Sequence, residues 1–226
     1  MSIDLGVYMV LGIYGSGGLG REILDLAKEI NASKWKWKKI VFINDFKKEP
    51  VINGAEVFTF DEFKANFPTD NANITIAVGE PKIRQILREK VMANGYGLQS
   101  LIHPTAFIGT ETQIGDGTSV QFGCFVSCNI KIGTNVLIQP NSSIGHDSII
   151  GDDAVVSSYV AIAGTCTIGE RTYIGVSVPV KENITIGADS IIGMGSTVLR
   201  DIPENVIALG NPARAMKINE SGRVFK

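Results

Sequence analysis

Two hydrophobic rhythms divide the chain. Over residues 1–100, short apolar runs at 8–14, 39–43 and 74–78 read as strands, and amphipathic stretches at 21–30, 60–67 and 81–94 read as helices. This alternation predicts a small Rossmann-like β/α unit. From residue 102 the rhythm changes. Ile or Val stands at every sixth position from Ile102 to Val198, 17 times in succession without a slip. Gly often follows the aliphatic residue, as in Ile132-Gly133, Ile144-Gly145 and Ile168-Gly169, and the fifth position of each hexapeptide is mostly small or β-branched.

A period of six fits no helix, because at 3.6 residues per turn the apolar stripe would wander around the axis. It fits short strands joined by corners. Each hexapeptide then supplies one strand with its aliphatic residue turned into a narrow core, and three hexapeptides make one triangular coil of a parallel β-helix. The repeats make a little under six coils. Cys124 and Cys166 both occupy the small fifth position, which makes them corner packing residues. The predicted domains are 1–100, an α/β Rossmann-like unit, and 101–226, an all-β solenoid with a C-terminal cap.

Charge and composition narrow the partners. The 226 residues carry 21 basic and 23 acidic side chains, a net charge of −2, with a pI near 5.7. No basic footprint for nucleic acid is present. Three cysteines without paired metal spacing fit a reduced compartment and argue against structural zinc. Residues 1–11 include Asp4 and no basic stretch, and no apolar run approaches the roughly 18 residues that span a bilayer. A soluble, cytoplasmic protein with no membrane partner and no metal is expected.

Gly15-Ser16-Gly17-Gly18-Leu19-Gly20 matches G-x-G-x-x-G between a predicted strand and a predicted helix. Glycines there let a phosphate approach backbone N–H groups at the positive end of a helix, so pyrophosphate is the natural ligand. Asn44 and Asp45 end the next strand, where the fingerprint places an acid that holds a ribose or base. Gly79 follows the third strand, and Arg84 lies just beyond it. These residues (Gly15, Ser16, Gly17, Gly18, Asn44, Asp45, Gly79 and Arg84) are the candidate nucleotide contacts. About 100 residues provide only one mononucleotide half, too little protein for a full nicotinamide dinucleotide.

The chain has two histidines. His146, in Ile144-Gly145-His146-Asp147, falls at a corner in mid-solenoid, where its imidazole would point to an outer groove; Asp147 would fix its tautomer if the turn brings both side chains together. Gly164 lies three hexapeptides, one full coil, further on and stacks over His146. His103, in His103-Pro104 at the solenoid entry, reads as a structural turn residue.

The repeat resembles the hexapeptide-repeat acyltransferases, which implies a left-handed β-helix. The tail, Asp201-Ile202-Pro203-Glu204-Asn205 followed by Gly210-Asn211-Pro212-Ala213-Arg214, is similar to the cap that closes such helices beside coenzyme A. With the glycine-rich domain in front, the chain resembles bacterial N-acetyltransferases of nucleotide-linked amino sugars and the related sialic acid O-acetyltransferases. The resemblance implies acetyl-CoA as co-substrate, a UDP- or dTDP-sugar held by the first domain, His146 as catalytic base, Asp147 as its partner and Gly164 N–H as donor to the thioester carbonyl. It further implies that acetyl-CoA lies along Gly164, Gly175, Val176, Gly193, Met194, Pro212 and Arg214. Two positions depart from the family pattern: Val155 stands where a second histidine is found, and Gln139 where an acceptor-side Asn is found.

The repeats run without an inserted loop to wall a groove, so a homotrimer with acetyl-CoA between subunits is expected. Acceptor chemistry stays open between an amine and a sugar hydroxyl, and a non-enzymatic binding solenoid is the third reading. A γ-class carbonic anhydrase would need three histidine ligands, and a sugar-1-phosphate nucleotidyltransferase a longer first domain with a lysine in its glycine loop.

Overall fold

A computed structural model describes residues 9–34 and 36–225. The described residues form two compact units, one within 9–78 and 87–99 and the other within 79–86 and 100–225. The short segment after the third predicted strand therefore groups with the solenoid.

The first unit is built on β1 (Val10–Tyr14), α1 (Gly18–Lys34), β2 (Lys39–Ile43), β3 (Val51–Ile52), β4 (Ala55–Phe58), α2 (Phe60–Asn66), β5 (Ala72–Ile76), the part of α3 (Pro81–Ala93) from residue 87 onward, and β6 (Gly97–Leu98). The sheet order is β3-β4-β2-β1-β5-β6, parallel except for β3. Strand order reverses at β1, which lies between β2 and β5, and ligands of open α/β sheets bind at the carboxyl ends beside such a point. The start of the expected strand 8–14 lies partly outside the described residues, since Tyr8 is not among them. The hairpin of β3 and β4 is an addition to the expected elements. Its turn is Asn53-Gly54, both at positive φ, the pair a tight hairpin prefers. Helix α2 starts with a capping box: Thr59 accepts from Glu62 N–H while the Glu62 carboxylate accepts from Thr59 N–H.

The second unit is a left-handed parallel β-helix with three faces. The first face runs through Leu101–Ile102, Ser119–Val120, Leu137–Ile138, Val155–Val156, Tyr173–Ile174 and Ile191–Ile192. The second begins at Phe107–Ile108 and ends at Pro179–Val180; the third begins at Gln113–Ile114 and ends at Thr185–Ile186. Up to Ile192 paired strands are three hexapeptides apart, so the sixth-position aliphatics stack into one column of Ile and Val per face, buried from Val120 onward. In the first coil Ile102 is exposed and Ile108 and Ile114 are partly buried.

Corners explain the small residues. Thr118, Ser142 and Thr172 each donate a hydroxyl hydrogen bond to a carbonyl of the next coil, at 2.8, 2.8 and 3.0 Å. Cys124 and Cys166 sit at the same position, their thiols 3.1 and 3.2 Å from the carbonyls of Gln139 and Lys181, and burial pushes both thiols up. Every sixth residue from 111 to 195 has positive φ, mostly Asn, Asp or Gly, which adopt the left-handed region at least cost. His103 stands at the entry turn, its Nδ1 3.1 Å from the Thr105 amide and its ring against Phe122. The last strands, Val206–Leu209 and Arg214–Ile218, form an antiparallel pair that continues the first face.

Arg84 corrects a sequence expectation. It is 0 % exposed, with its guanidinium donating to the Asn135 carbonyl oxygen at 3.0 Å and to Asn135 Oδ1 at 2.8 Å, while Asn135 Nδ2 donates to the buried Asp153 at 2.7 Å. Burial pushes its pKa down to about 10, against the pull of Asp153. A guanidinium enclosed in this way anchors the 79–86 segment within the second unit and offers no surface to a nucleotide. Glu80 acts alongside it, accepting from the amides of Val224 and Phe225 at 2.6 and 3.2 Å.

Candidate active site

The glycine loop is open at two of its positions. Side-chain atoms added at Gly17 or Gly18 would meet nothing within 4 Å, so both glycines front open space, whereas one at Gly20 would fall 2.1 Å from the Gly15 carbonyl oxygen. Gly20 is there for close packing; Gly17 and Gly18 leave room. Helix α1 starts at Gly18 with no acidic residue in its first turn, so its positive end carries no built-in counter-charge. Ser16 Oγ accepts a hydrogen bond from Asn44 Nδ2 at 2.8 Å, which ties the loop to the end of β2.

Asp45 is brought to the same end of the sheet, already engaged. Its Oδ2 accepts from the Tyr14 hydroxyl at 2.6 Å and from Lys90 at 2.8 Å, and its Oδ1 accepts from Phe60 N–H at 2.8 Å. Burial raises its pKa, but the hydrogen bonds from Lys90, Tyr14 and Phe60 outweigh that and hold the carboxyl below the usual carboxylate range. Lys90 and Tyr14 were not among the expected site residues. Gly79, with Arg84, falls in the segment that groups with the second unit.

In the solenoid, His146 and Asp147 occupy the corner between the second and third faces. On a straight strand their side chains would diverge, but Asp147 has φ 59°, and this left-handed turn brings its carboxylate to 2.7 Å from His146 Nδ1. Asn129, one coil earlier, donates to the other Asp147 oxygen at 3.2 Å. The hydrogen bonds from His146 and Asn129 hold the Asp147 carboxyl below its ordinary range. An ionised carboxylate only accepts, so Nδ1 carries a proton, and in the neutral ring the lone pair then belongs to Nε2.

That Nε2 faces Gly164. A Cβ built on Gly164 would lie 2.7 Å from both Cε1 and Nε2 of His146. The flanking amides of Ala163 and Thr165 are spent on Val180 and His146 carbonyls, at 3.0 and 2.8 Å, while the Gly164 N–H has no partner among the described residues. A lone pair and a free donor thus share one outer edge, 59 % of the His146 side chain being exposed.

Gly175, Val176, Gly193 and Met194 lie on a different edge, the corner between the first and second faces. Met194 is 76 % exposed, and Pro212 and Arg214 are exposed beyond it; the Asn211-Pro212 bond is cis. The second face separates the two edges within one chain, and its outer surface carries stacked Phe107 and Phe125, ring centroids 5.1 Å apart. Val155 is buried in the first face and Gln139 stands at the corner after it; neither shares the edge of His146. Among the described residues no group of three or more His, Cys, Asp or Glu is placed to hold a metal ion, and no helix is long and apolar enough to cross a membrane.

Residues 10–91 match the PglD N-terminal domain family, and residues 129–164 match the bacterial transferase hexapeptide family. Two matched regions thus follow one another along the chain, a PglD-type N-terminal domain and bacterial transferase hexapeptide repeats. Its relatives are acetyltransferases. The acetyltransferase domain of PglB from Neisseria gonorrhoeae FA1090 is 27 % identical, with a TM-score of 0.86 over 92 % of this chain and 99 % of that one. PerB from Caulobacter crescentus, solved in complex with CoA and GDP-perosamine, is 29 % identical, with a TM-score of 0.77 over 92 % of this chain and 97 % of that one. GDP-perosamine N-acetyltransferase from Escherichia coli O157:H7 is 32 % identical over 111 residues, 48 % of this chain and 49 % of that protein, so the match spans about half its length.

The sequence carried no signal for Tyr14 or Lys90. Tyr14 reads as a strand aromatic and Lys90 as a solvated helix charge, and only the folded chain brings Lys90 of α3 to Tyr14 and Asp45.

Proposed function

We propose that the chain is an acetyl-CoA-dependent N-acetyltransferase acting on the amino group of a sugar linked to a nucleoside diphosphate. The observation that carries this reading is the His146 imidazole, oriented by Asp147, with its Cε1–Nε2 edge against Gly164, whose N–H has no partner among the described residues. Acetyl transfer from a thioester needs a base for the nucleophile's proton and a donor for the developing oxyanion, and this edge offers both. His146 Nε2 takes the amine proton as the C–N bond forms, and Gly164 N–H stabilises the oxyanion. As the C–S bond breaks, the imidazolium returns its proton to the departing CoA thiolate, while Asp147 holds the ring throughout. Cys124 and Cys166 are buried thiols and take no part.

The first domain holds the nucleotide through Gly15, Ser16, Gly17 and Gly18, with Asn44 and Asp45 beyond. UDP and dTDP fit this loop, and GDP joins them because PerB was solved with GDP-perosamine. The chain acts as a homotrimer in the cytoplasm. Gly164 and the group Gly175, Val176, Gly193 and Met194 occupy separate edges, and packing the apolar second face against a neighbouring subunit would let one acetyl-CoA use both. Pro212 and Arg214 flank its far end.

The deciding experiment is thiol release from acetyl-CoA against UDP-, dTDP- and GDP-linked amino sugars and their hydroxyl counterparts, with mass analysis of the product. An amide product from an amino sugar supports the reading. Acetyl transfer only to hydroxyls, or no turnover with any sugar, overturns it.

A further inference from the structure

Asn-Gly is the pair in which a backbone nitrogen most readily attacks the preceding side-chain amide, because glycine puts no side chain in the way. The chain contains two such pairs, Asn53-Gly54 and Asn94-Gly95, both in the first unit. Their surroundings differ. Asn94-Gly95 follows α3 and is tied down: Asn94 Nδ2 donates to the Lys90 carbonyl at 2.8 Å, and its Oδ1 accepts from Lys64 at 3.4 Å. The Gly95 N–H, whose nitrogen is the nucleophile, is spent on the Met92 carbonyl at 2.9 Å. The next residue, Tyr96, is buried, with its own N–H 3.3 Å from the Val91 carbonyl.

Asn53-Gly54 has none of these restraints. Both residues are exposed at the tip of the β3–β4 hairpin, and among the described residues neither the Asn53 side chain nor the Gly54 N–H has a hydrogen-bond partner. A Cβ added at Gly54 would meet nothing within 4 Å. Attack requires the Gly54 nitrogen to swing onto Asn53 Cγ, so the left-handed turn, at φ 47° and 79°, must open first. Opening is cheap here. β3 is two residues long at the edge of its sheet, Val51 is 50 % exposed, and the hairpin is paired at only two positions.

We propose that Asn53 is a site of spontaneous deamidation in the folded protein and that Asn94, with the same sequence signal, is protected. The Gly54 nitrogen gives its proton to a solvent base and bonds to Asn53 Cγ; the Cγ–Nδ2 bond breaks, and the amide leaves as ammonia with a proton from water. Water then opens the resulting five-membered imide at either carbonyl, giving aspartate or isoaspartate. Isoaspartate places one extra carbon in the backbone between β3 and β4, and a two-residue turn then no longer matches the Ile52–Ala55 pairing. The effect reaches β2, because β4 pairs with it and the Phe58 carbonyl accepts from Asn44 N–H at 2.8 Å.

The test is peptide mapping by mass spectrometry of the full chain held in mildly alkaline buffer, once folded and once in denaturing urea. In the folded chain Asn53 should convert at least about tenfold faster than Asn94, because the hydrogen bonds of Asn94 Nδ2 and Gly95 N–H must break before Gly95 can attack. In urea, where those bonds are gone, the two should convert at similar rates. Asn53→Gln, whose cyclisation needs a six-membered ring, should abolish the fast release of ammonia and leave Asn94 as slow as before. An Asn94 that converts as fast as Asn53 in the folded chain overturns the proposal, and so does an Asn53 that stays intact when folded and converts only in urea.

Discussion

The imidazole of His146 rests against the backbone of Gly164, so closely that a methyl group on Gly164 would fall 2.7 Å from Nε2. One full coil separates them in sequence, and the stacking of coils makes them neighbours. Gly164→Ala should therefore push the ring aside. The displaced atoms are the end of a side chain, so the fold survives, but displacements of about 1 Å at a reacting group cost about 10²-fold. The expected outcome is a fall of that order in kcat with an unchanged Tm, read by thiol release and thermal denaturation.

Asp147→Asn isolates the charge of the partner. Asn adopts the left-handed region as readily as Asp, so the corner is kept, and the amide oxygen can still accept from Nδ1. What is lost is stabilisation of the imidazolium. A fall of about 10- to 100-fold in kcat is expected, smaller than for loss of the histidine itself. Asp147→Val should lower Tm as well, because a β-branched residue is strained at φ 59°.

The glycine loop separates packing from binding. Gly17→Val adds atoms where nothing lies within 4 Å and should raise the KM for the sugar nucleotide by at least about tenfold, with the acetyl-CoA KM and Tm unchanged. Gly20→Ala, whose Cβ would meet the Gly15 carbonyl at 2.1 Å, should instead lower Tm. Steady-state kinetics and melting curves on the two variants check both halves.

Asp45 makes the first domain acid-sensitive. Its folded pKa lies below the unfolded value, so its contribution to stability is complete above the ordinary carboxylate range and is lost as pH falls through the folded value. Asp45→Asn should be less stable than wild type at neutral pH, and the gap should close below about pH 4. Urea denaturation at several pH values, followed by a probe in the first domain, measures it.

The solenoid was legible because its period is a spatial code. Once each coil is three hexapeptides, the columns follow, and His146, Asp147 and Gly164 fall on one edge by counting alone. The glycine loop was legible for a local reason, since strand, turn and helix are contiguous. Arg84 was misleading because a charged residue on a short helix looks solvated, and its buried partners Asn135 and Asp153 lie far along the chain at corners of the solenoid. Lys90 and Tyr14 were silent for the same reason: their pairing with Asp45 exists only after α3 packs. The β3–β4 hairpin carried a readable signal in Asn53-Gly54, but its strands are too short for periodicity to reveal.

If His146 takes the proton while the amine attacks the thioester directly, removing the imidazole slows chemistry and no acetyl-enzyme forms. The most direct measurement is steady-state thiol release by His146→Ala with a saturating nucleotide amino sugar, together with mass analysis of the enzyme after exposure to acetyl-CoA alone. With His146 as the base, kcat should fall by about 10² to 10⁴ with little change in either KM and no acetylated enzyme. A kcat near that of wild type, or an acetyl group found on Cys124, Cys128 or Cys166, would contradict it, because another residue would then carry the transfer.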